Sequence, residues 1–208
     1  MPVAANDTTS HVADPGSRRA APDQVATEAS AGGVPRPAPF HPAAADAARL
    51  YDVVDSPIGE LLVTSDGSSL TSLRMMPDDA APDITQGWER DAAALSAVTG
   101  QLARYFAGEL TQFDLPLAPS GTDFQMRVWA ALRDIPYGET ASYGELAAAI
   151  GKPTASRAVG AANGRNPIAV IVPCHRVIGA SGALVGFGGG LDRKRTLLDI
   201  ERGAEAVR

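Results

Sequence analysis

A single cysteine in 208 residues, Cys174, narrows the ways this chain can hold itself together. A lone thiol forms no internal disulfide, and a Cys-rich zinc site takes several ligands, so stability has to come from a packed apolar core. Hydrophobic residues make up 45% of the chain, an ordinary share that allows one domain or two small ones. The thiol itself has two readings. It is a small buried core residue, as lone cysteines most often are, or it is a nucleophile. Its surroundings favour the nucleophile. The run Ile168-Ala169-Val170-Ile171-Val172 is apolar and rich in β-branched residues, which predicts a short buried strand ended by Pro173, with Cys174 at its tip beside His175. A thiol needs a neighbouring base or positive charge to become the reactive thiolate.

No stretch approaches the roughly 20 apolar residues of a membrane span, so no membrane partner is expected. The start, Met1-Pro2-Val3-Ala4-Ala5-Asn6, lacks the basic and apolar regions of a signal peptide. With one cysteine and no disulfide framework, the expected location is the reducing cytoplasm. The net charge of −6 argues against nucleic acid. Its distribution softens that argument, because the stretch from Asp123 onward carries 11 Lys and Arg against 8 Asp and Glu. The acidic excess therefore sits in the N-terminal part. A mildly basic C-terminal part fits either a nucleic-acid surface or an ordinary solvated one.

Residues 1–46 are rich in Ala, Pro, Ser, Asp and Gly, with sparse and aperiodic large apolar residues, and predict a disordered tail. Order is expected from Ala48. Segments 51–55, 60–64 and 70–73 predict three short strands, with Ser56-Pro57-Ile58-Gly59 and Asp66-Gly67-Ser68 as turns. Residues 77–88 read as loop. Leu95, Val98, Leu102 and Tyr105/Phe106 recur at helical spacing over about 90–107. The second half reads as mainly helical. Thr122 with Gln125, and Ser142 with Glu145, are capping-box patterns opening two helices. Ile135-Pro136-Tyr137-Gly138 separates them, and Gly151-Lys152-Pro153 stops the second. A third helix, about 154–162, is rich in small residues, and a short turn joins it to the second, a helix-turn-helix pattern of low specificity. After Cys174 come the flexible Gly186-Phe187-Gly188-Gly189-Gly190 and a final helix through Leu197, Leu198 and Glu201.

Pro173-Cys174-His175-Arg176-Val177, together with Phe124-Gln125, Val128-Trp129, Ile135-Pro136, Gly138-Glu139-Thr140, Ser142-Tyr143, Arg157-Ala158-Val159-Gly160, Asn166-Pro167, Gly189-Gly190 and Glu201, resembles the 6-O-alkylguanine-DNA alkyltransferases. These are suicide repair proteins that strip alkyl groups from guanine. The resemblance is strong over 120–202, weaker over 48–118, and absent from 1–46. It implies an α+β fold, with a small ribonuclease-H-like α/β domain at 47–118. A mainly helical, winged-helix-like domain with a helix-turn-helix follows at 119–208. It implies double-stranded DNA as partner through the minor groove, a monomer, no cofactor and no metal.

The resemblance also assigns roles. Cys174 is implied to attack the alkyl carbon, with His175 as general base acting through a water and Glu201 orienting the imidazole. Tyr143 is implied to donate a proton to the departing guanine and to crowd the flanking phosphate. Arg157 resembles the arginine finger that replaces an extruded base, and base extrusion costs a few kcal/mol. The small residues Ala158 and Gly160 let that helix approach the sugar-phosphate walls, and Asn166 joins it to the Cys174 segment. Val177, Phe187 and Gly188 are implied to line the guanine pocket. Taken singly, His175 reads more readily as a satisfied structural histidine, Glu201 as a surface carboxylate and the Ala/Gly run as tight helix packing, while Tyr143 also suits core packing at a helix start.

Phe187 stands where many members have Tyr, and Gly188 where some have Ser. The zinc ligands of some animal members and the Cys-rich module of the adaptive-response regulator are absent. Members that accept the bulky free base 6-O-benzylguanine carry Gly and Pro where this chain has Val185 and Ala169, so a narrow pocket is expected. Three alternatives remain. A non-catalytic lesion-binding protein of this type carries Trp in place of Cys174. A helix-turn-helix transcription factor calls for a dimer interface and major-groove side chains. A Cys-His hydrolase calls for an oxyanion hole and turnover.

Overall fold

Order in the N-terminal half is built from two tight hairpins. The computed structural model describes residues 37–42, 48–78, 80–84 and 87–203. Residues 1–36, most of the expected tail, lie outside the described residues. Strands β1 (Leu50–Val54), β2 (Leu61–Ser65) and β3 (Leu70–Met75) run antiparallel in sequence. The second turn is an Asx turn, in which Asp66 Oδ1 accepts from the Ser68 and Ser69 amides at 2.9 and 2.7 Å. Every residue of β2 is buried, as befits a central strand. A two-residue strand, β4 (Glu89–Arg90), pairs parallel with β1 and completes a sheet of order β3-β2-β1-β4. It falls just beyond the expected loop, and two charged residues carry no strand signature. Helix α1 (Ser96–Phe106) turns Val98, Leu102 and Tyr105 inward at helical spacing.

In the C-terminal half both capping boxes form as the sequence predicts. Thr122 caps α2 (Asp123–Leu132) and Ser142 caps α3 (Tyr143–Ala149), each with the reciprocal N3 side-chain bond. Helix α4 (Ser156–Asn163) packs on α2, and Trp129 Nε1 donates to the Ala162 carbonyl at 2.9 Å. A 3-10 turn at Cys174–Arg176 leads into β6 (Val177–Ile178), which pairs parallel with β5 (Ala141–Ser142). Helix α5 (Leu191–Glu201) closes the chain back onto this turn.

The described residues belong to one compact unit, and one apolar cluster runs through both halves, from Leu61, Leu73 and Leu102 to Val128, Trp129 and Leu197. The outer edge of β3 stitches them together. The Leu73 amide donates to Pro167 O at 2.8 Å, and the Ala169 amide donates to Leu73 O at 2.9 Å.

Two expectations need correction. Residues 168–172 are buried, as expected, but they form a compact turn rather than a strand. Val170 has φ +69°, a left-handed conformation that is strained for a β-branched residue. Besides the two bonds to β3, the Asn166 side-chain amide ties the turn to itself. Its Oδ1 accepts from the Ile168 amide at 3.0 Å, and its Nδ2 donates to Val172 O at 2.7 Å. Apolar periodicity reports burial, and at this length it does not distinguish a strand from a buried turn. The second correction concerns the end of the expected tail. Residues 37–42 are seated on the body. The His41 amide donates to Leu117 O at 2.7 Å, Phe40 packs against the core, and Arg133 both donates to Ala38 O at 2.6 Å and lies 5.1 Å over the Phe40 ring.

Candidate active site

The strained turn delivers Cys174 to the floor of a cavity of about 220 Å³. The Cys174 amide donates to Val172 O at 2.8 Å, and Asn163, at the end of α4, donates through Nδ2 to Cys174 O at 3.3 Å. The thiol is therefore fixed from the turn behind it and from the helix-turn-helix beside it. Three parts of the molecule wall the cavity: the α4 terminus with Asn163 and Asn166, the loop Gly186–Gly189, and the end of β3 from Leu73 to Met75.

The 3-10 turn points His175 away from solvent toward α5. His175 is fully buried, and its Nε2 lies 2.8 Å from Glu201 Oε1. Three other residues hold the same carboxylate. Arg176 donates to it through Nε and NH2 at 2.9 Å, Tyr105 through its hydroxyl at 2.7 Å, and the Gly138 amide at 3.1 Å. Arg176 NH1 also donates to Ile135 O at 2.6 Å. A buried charge is tolerated when it is paired and hydrogen-bonded, and this carboxylate is both.

Burial alone would raise the Glu201 carboxyl. The bonds from His175 and Arg176 overcome that and bring its pKa down to about 2. Burial also pushes the His175 imidazole below its usual value, against the pull of Glu201. The pair is therefore a carboxylate and a neutral imidazole at pH 7. Facing an ionised carboxylate, Nε2 carries the ring hydrogen and donates it, which leaves Nδ1 with the lone pair. Nδ1 is buried and makes no hydrogen bond among the described residues. Burial raises the Cys174 thiol, with Asn166 and the Lys194 ammonium opposing. The resting group is a thiol that needs a base.

Lys194 is fully buried and donates to Val177 O at 2.6 Å and to Val185 O at 2.8 Å, tying the cavity loop to β6. Tyr143 donates to Val185 O and Gly186 O at 3.3 and 3.4 Å, long for hydroxyl bonds and so weakly held. Burial raises its phenol pKa, and the neighbouring Cys174 adds to that. Gly186, at φ +54°, sits where a Cβ would come within 3.2 Å of that hydroxyl.

Cys174, His175, Glu201 and Tyr143 thus gather around one turn and one loop. Phe187, Gly188 and Asn166 are on the cavity wall. Val177 is not; its side chain is in the core and its carbonyl is taken by Lys194. Arg157 and Ala158 face solvent on the outer side of α4, while Gly160 lies against the Tyr143 ring. Ala169 lines the cavity, whereas Val185 does not and is 40% exposed, so only one of the two expected narrowing residues sits where narrowing would occur.

Sequence reasoning gave no role to Arg176, Tyr105, Asn163 or Lys194. Lys194 had a usable signal, since 194, 197, 198 and 201 form the inward stripe of α5 and two of the four are charged. Among the described residues no helix is long and apolar enough to cross a membrane. Among them, too, no group of three or more His, Cys, Asp or Glu is placed to hold a metal.

The family model for the 6-O-methylguanine DNA methyltransferase ribonuclease-like domain matches residues 49–119, and the model for the DNA binding domain of the same family matches residues 123–203. A methylated-DNA–protein-cysteine methyltransferase of Mycobacterium tuberculosis is 60% identical over 152 residues, which is 73% of this chain and 92% of that protein. One of Methanosarcina acetivorans is 51% identical over 151 residues, 73% of this chain and 97% of that protein. The crystal structure of Mycobacterium tuberculosis OGT in complex with DNA superposes with a TM-score of 0.70 at 56% identity, covering 76% of this chain and 96% of that one.

Proposed function

The chain belongs to the 6-O-methylguanine DNA methyltransferase family, and from that premise we propose which residues carry its reaction. The activity is repair of alkylated DNA by transfer of the alkyl group from 6-O-alkylguanine to a cysteine of the protein, once per chain. With one cysteine present, the acceptor is Cys174. That single observation carries the assignment. 4-O-alkylthymine is a second candidate substrate.

In the proposed step, His175 Nδ1 takes the thiol proton through an intervening water as the alkyl carbon comes into line. The thiolate forms the S–C bond, the C–O bond breaks, and its electron pair stays on the base. A proton delivered from the Tyr143 hydroxyl neutralises the leaving guanine, and the proton held by His175 restores the balance. The net change is one alkyl group moved to sulfur and one thiol proton moved to guanine. Glu201 acts by fixing the ring so that Nδ1 is the free base, the logic of a nucleophile, base and orienter.

The division of labour follows: residues 47–118 are the scaffold and 119–208 the DNA-binding and transfer part. Exposed Arg157 and Ala158 on α4 suit a helix laid in the minor groove, where readout is degenerate and a lesion in any sequence can be searched for. Arg157 fills the gap left by the extruded base, and the protein works as a monomer in the cytoplasm.

Intact-protein mass after incubation with duplex carrying 6-O-methylguanine tests the reading. One added methyl is expected, lost in Cys174→Ser, with DNA binding retained. Demethylation beyond one equivalent per chain would overturn it. Arg157→Ala should slow transfer from duplex more than from single strands, and equal losses would make Arg157 a structural residue.

A further inference from the structure

We infer that Met75, on the N-terminal sheet, sets the size of alkyl group the cavity accepts; this rests on the alkyl-transfer reading of the site. Strand β3 is the outer strand of the sheet, and Leu73 is pinned to the Asn166–Ala169 segment through its amide and its carbonyl. That register carries the next two residues, Arg74 and Met75, onto the wall of the cavity that holds Cys174. The end of the strand is fixed on its other side as well. Met75 pairs with Leu61, the Met76 amide donates to Glu60 O at 2.8 Å, and Arg193 donates to Met76 O at 3.0 Å. The backbone is held on both sides there, which leaves the thioether as the part that can adjust.

The thioether lies against the opposite wall. A Cβ built on Gly189 would collide with Met75 Sδ and lie 3.0 Å from its Cε, so the side chain rests on the loop backbone at a residue with no side chain of its own. The other end of the loop is held by Lys194 and, more weakly, by Tyr143. The loop is therefore a span anchored near Val185 and propped at Gly189. How far it closes over Cys174 depends on what fills the space at Met75. Methionine is unbranched, with three rotatable bonds, and fills irregular gaps adaptably. A short alkyl group leaves the prop in place. A long one has to displace it, because the alkyl group is the part of the substrate that must lie at the thiol.

The test uses the full chain and two duplexes, one carrying 6-O-methylguanine and one 6-O-butylguanine. The readout is the ratio of the two transfer rates, so a general loss of activity cancels. Met75→Ala should raise the butyl-to-methyl ratio by about tenfold, the scale of methylene-sized changes in an apolar pocket. Met75→Phe should lower it. Gly189→Ala should depress transfer of both groups, and adding Met75→Ala to it should restore methyl transfer, a rescue that a merely structural methionine would not give. Unchanged ratios in Met75→Ala and Met75→Phe, or no rescue of Gly189→Ala, would overturn the inference. If Met75→Ala fails to fold, the Phe variant still decides: an unchanged ratio there overturns the inference. Absence of methyl transfer by the parent chain would instead refute the alkyl-transfer reading itself.

Discussion

The sheet half and the half that carries Cys174 bury polar groups in different ways. From Leu50 to Leu117 the buried polar residues are Asp52, Thr64, Ser65 and Ser69. Two of the hydroxyls answer each other or a nearby carbonyl, as Thr64 does with Thr71 and Ser65 with Ser69 O, both at 2.9 Å. An ion pair within that stretch, Arg90 with Asp52, has its arginine 60% exposed. Beyond Leu117 the buried set is Asn163, His175, Arg176, Lys194 and Glu201. Most of these carry charge or titrate, and they lie on two elements, the Cys174 turn and α5. The first half is stabilised by apolar burial with local polar satisfaction. The second accepts charge desolvation to hold a neutral imidazole in one orientation beside a thiol. Such networks are favourable only while every member is paired, so the two halves should respond very differently to the loss of one polar group.

The largest effect is expected on rate. His175→Ala should slow transfer by roughly 10²–10⁴-fold, the range for a lost general base. Because burial holds the Cys174 thiol in its protonated form, much of that rate should return as pH rises and the thiol ionises unaided. A variant with unchanged rate, or one whose deficit is the same at every pH, would remove His175 from the proton path.

Next comes stability. Glu201→Gln keeps the shape but leaves Arg176 buried without its counter-charge, and losing one partner of a buried pair costs about 3–5 kcal/mol. Arg90→Ala, at a pair whose arginine lies in solvent, should cost much less. Acid sharpens the contrast. The Glu201 pKa is depressed in the fold to about 2, so its stabilisation is fully present above the unfolded value of about 4.3 and is lost as pH falls toward 2. His175 is depressed as well, so it too costs stability when acid forces it to charge. Denaturant unfolding at several pH values should show the steep acid loss in the parent chain and a shallower one in Glu201→Gln. Equal costs for Glu201→Gln and Arg90→Ala would collapse the distinction between the halves.

What was legible beforehand follows the same division between local and long-range causes. Both capping boxes were readable because a cap is settled within four residues: Thr122 with Gln125, Ser142 with Glu145. The hairpins were readable from their turn residues. Cys174, His175 and Glu201 were readable as a motif, and the geometry brings them together. The shape of 168–172 was not, because it depends on the Asn166 side chain and on β3, a strand almost 100 positions earlier, as the Ser72 to Pro167 bond shows. The partners of Glu201 were hidden for the same reason. Tyr105 sits on a helical stripe that reads as plain core, and only the fold aims its hydroxyl at a carboxylate 96 residues away. The β3 wall of the cavity has no signature at all in its own segment.

The smallest predicted effect concerns a segment before the family-matched region that touches both halves. Residues 37–42 bridge Leu117, at the end of the sheet half, to Arg133, just past α2. A cation–π contact with Phe40 is worth about 0.5–1 kcal/mol, each hydrogen bond nets about 0.5–1.5 kcal/mol, and half-burying a phenyl ring adds about 1 kcal/mol. Ordering the backbone opposes these at about 1–2 kcal/mol per residue, but Pro37, Pro39 and Pro42 arrive with φ already fixed. These terms nearly cancel, so the net should be small, a stabilisation of at most about 2 kcal/mol. At about 2–4 °C per kcal/mol for a body of this size, deleting residues 2–42 should lower Tm by no more than roughly 8 °C relative to deleting 2–36. Phe40→Ala in the full chain should reproduce most of the difference. Neither change touches the Glu201 network, so the transfer rate at 25 °C should be the same in both truncations. Identical melting temperatures would mean that the segment lies on the surface without holding the halves together, and a loss of rate would mean that it reaches the site through α2.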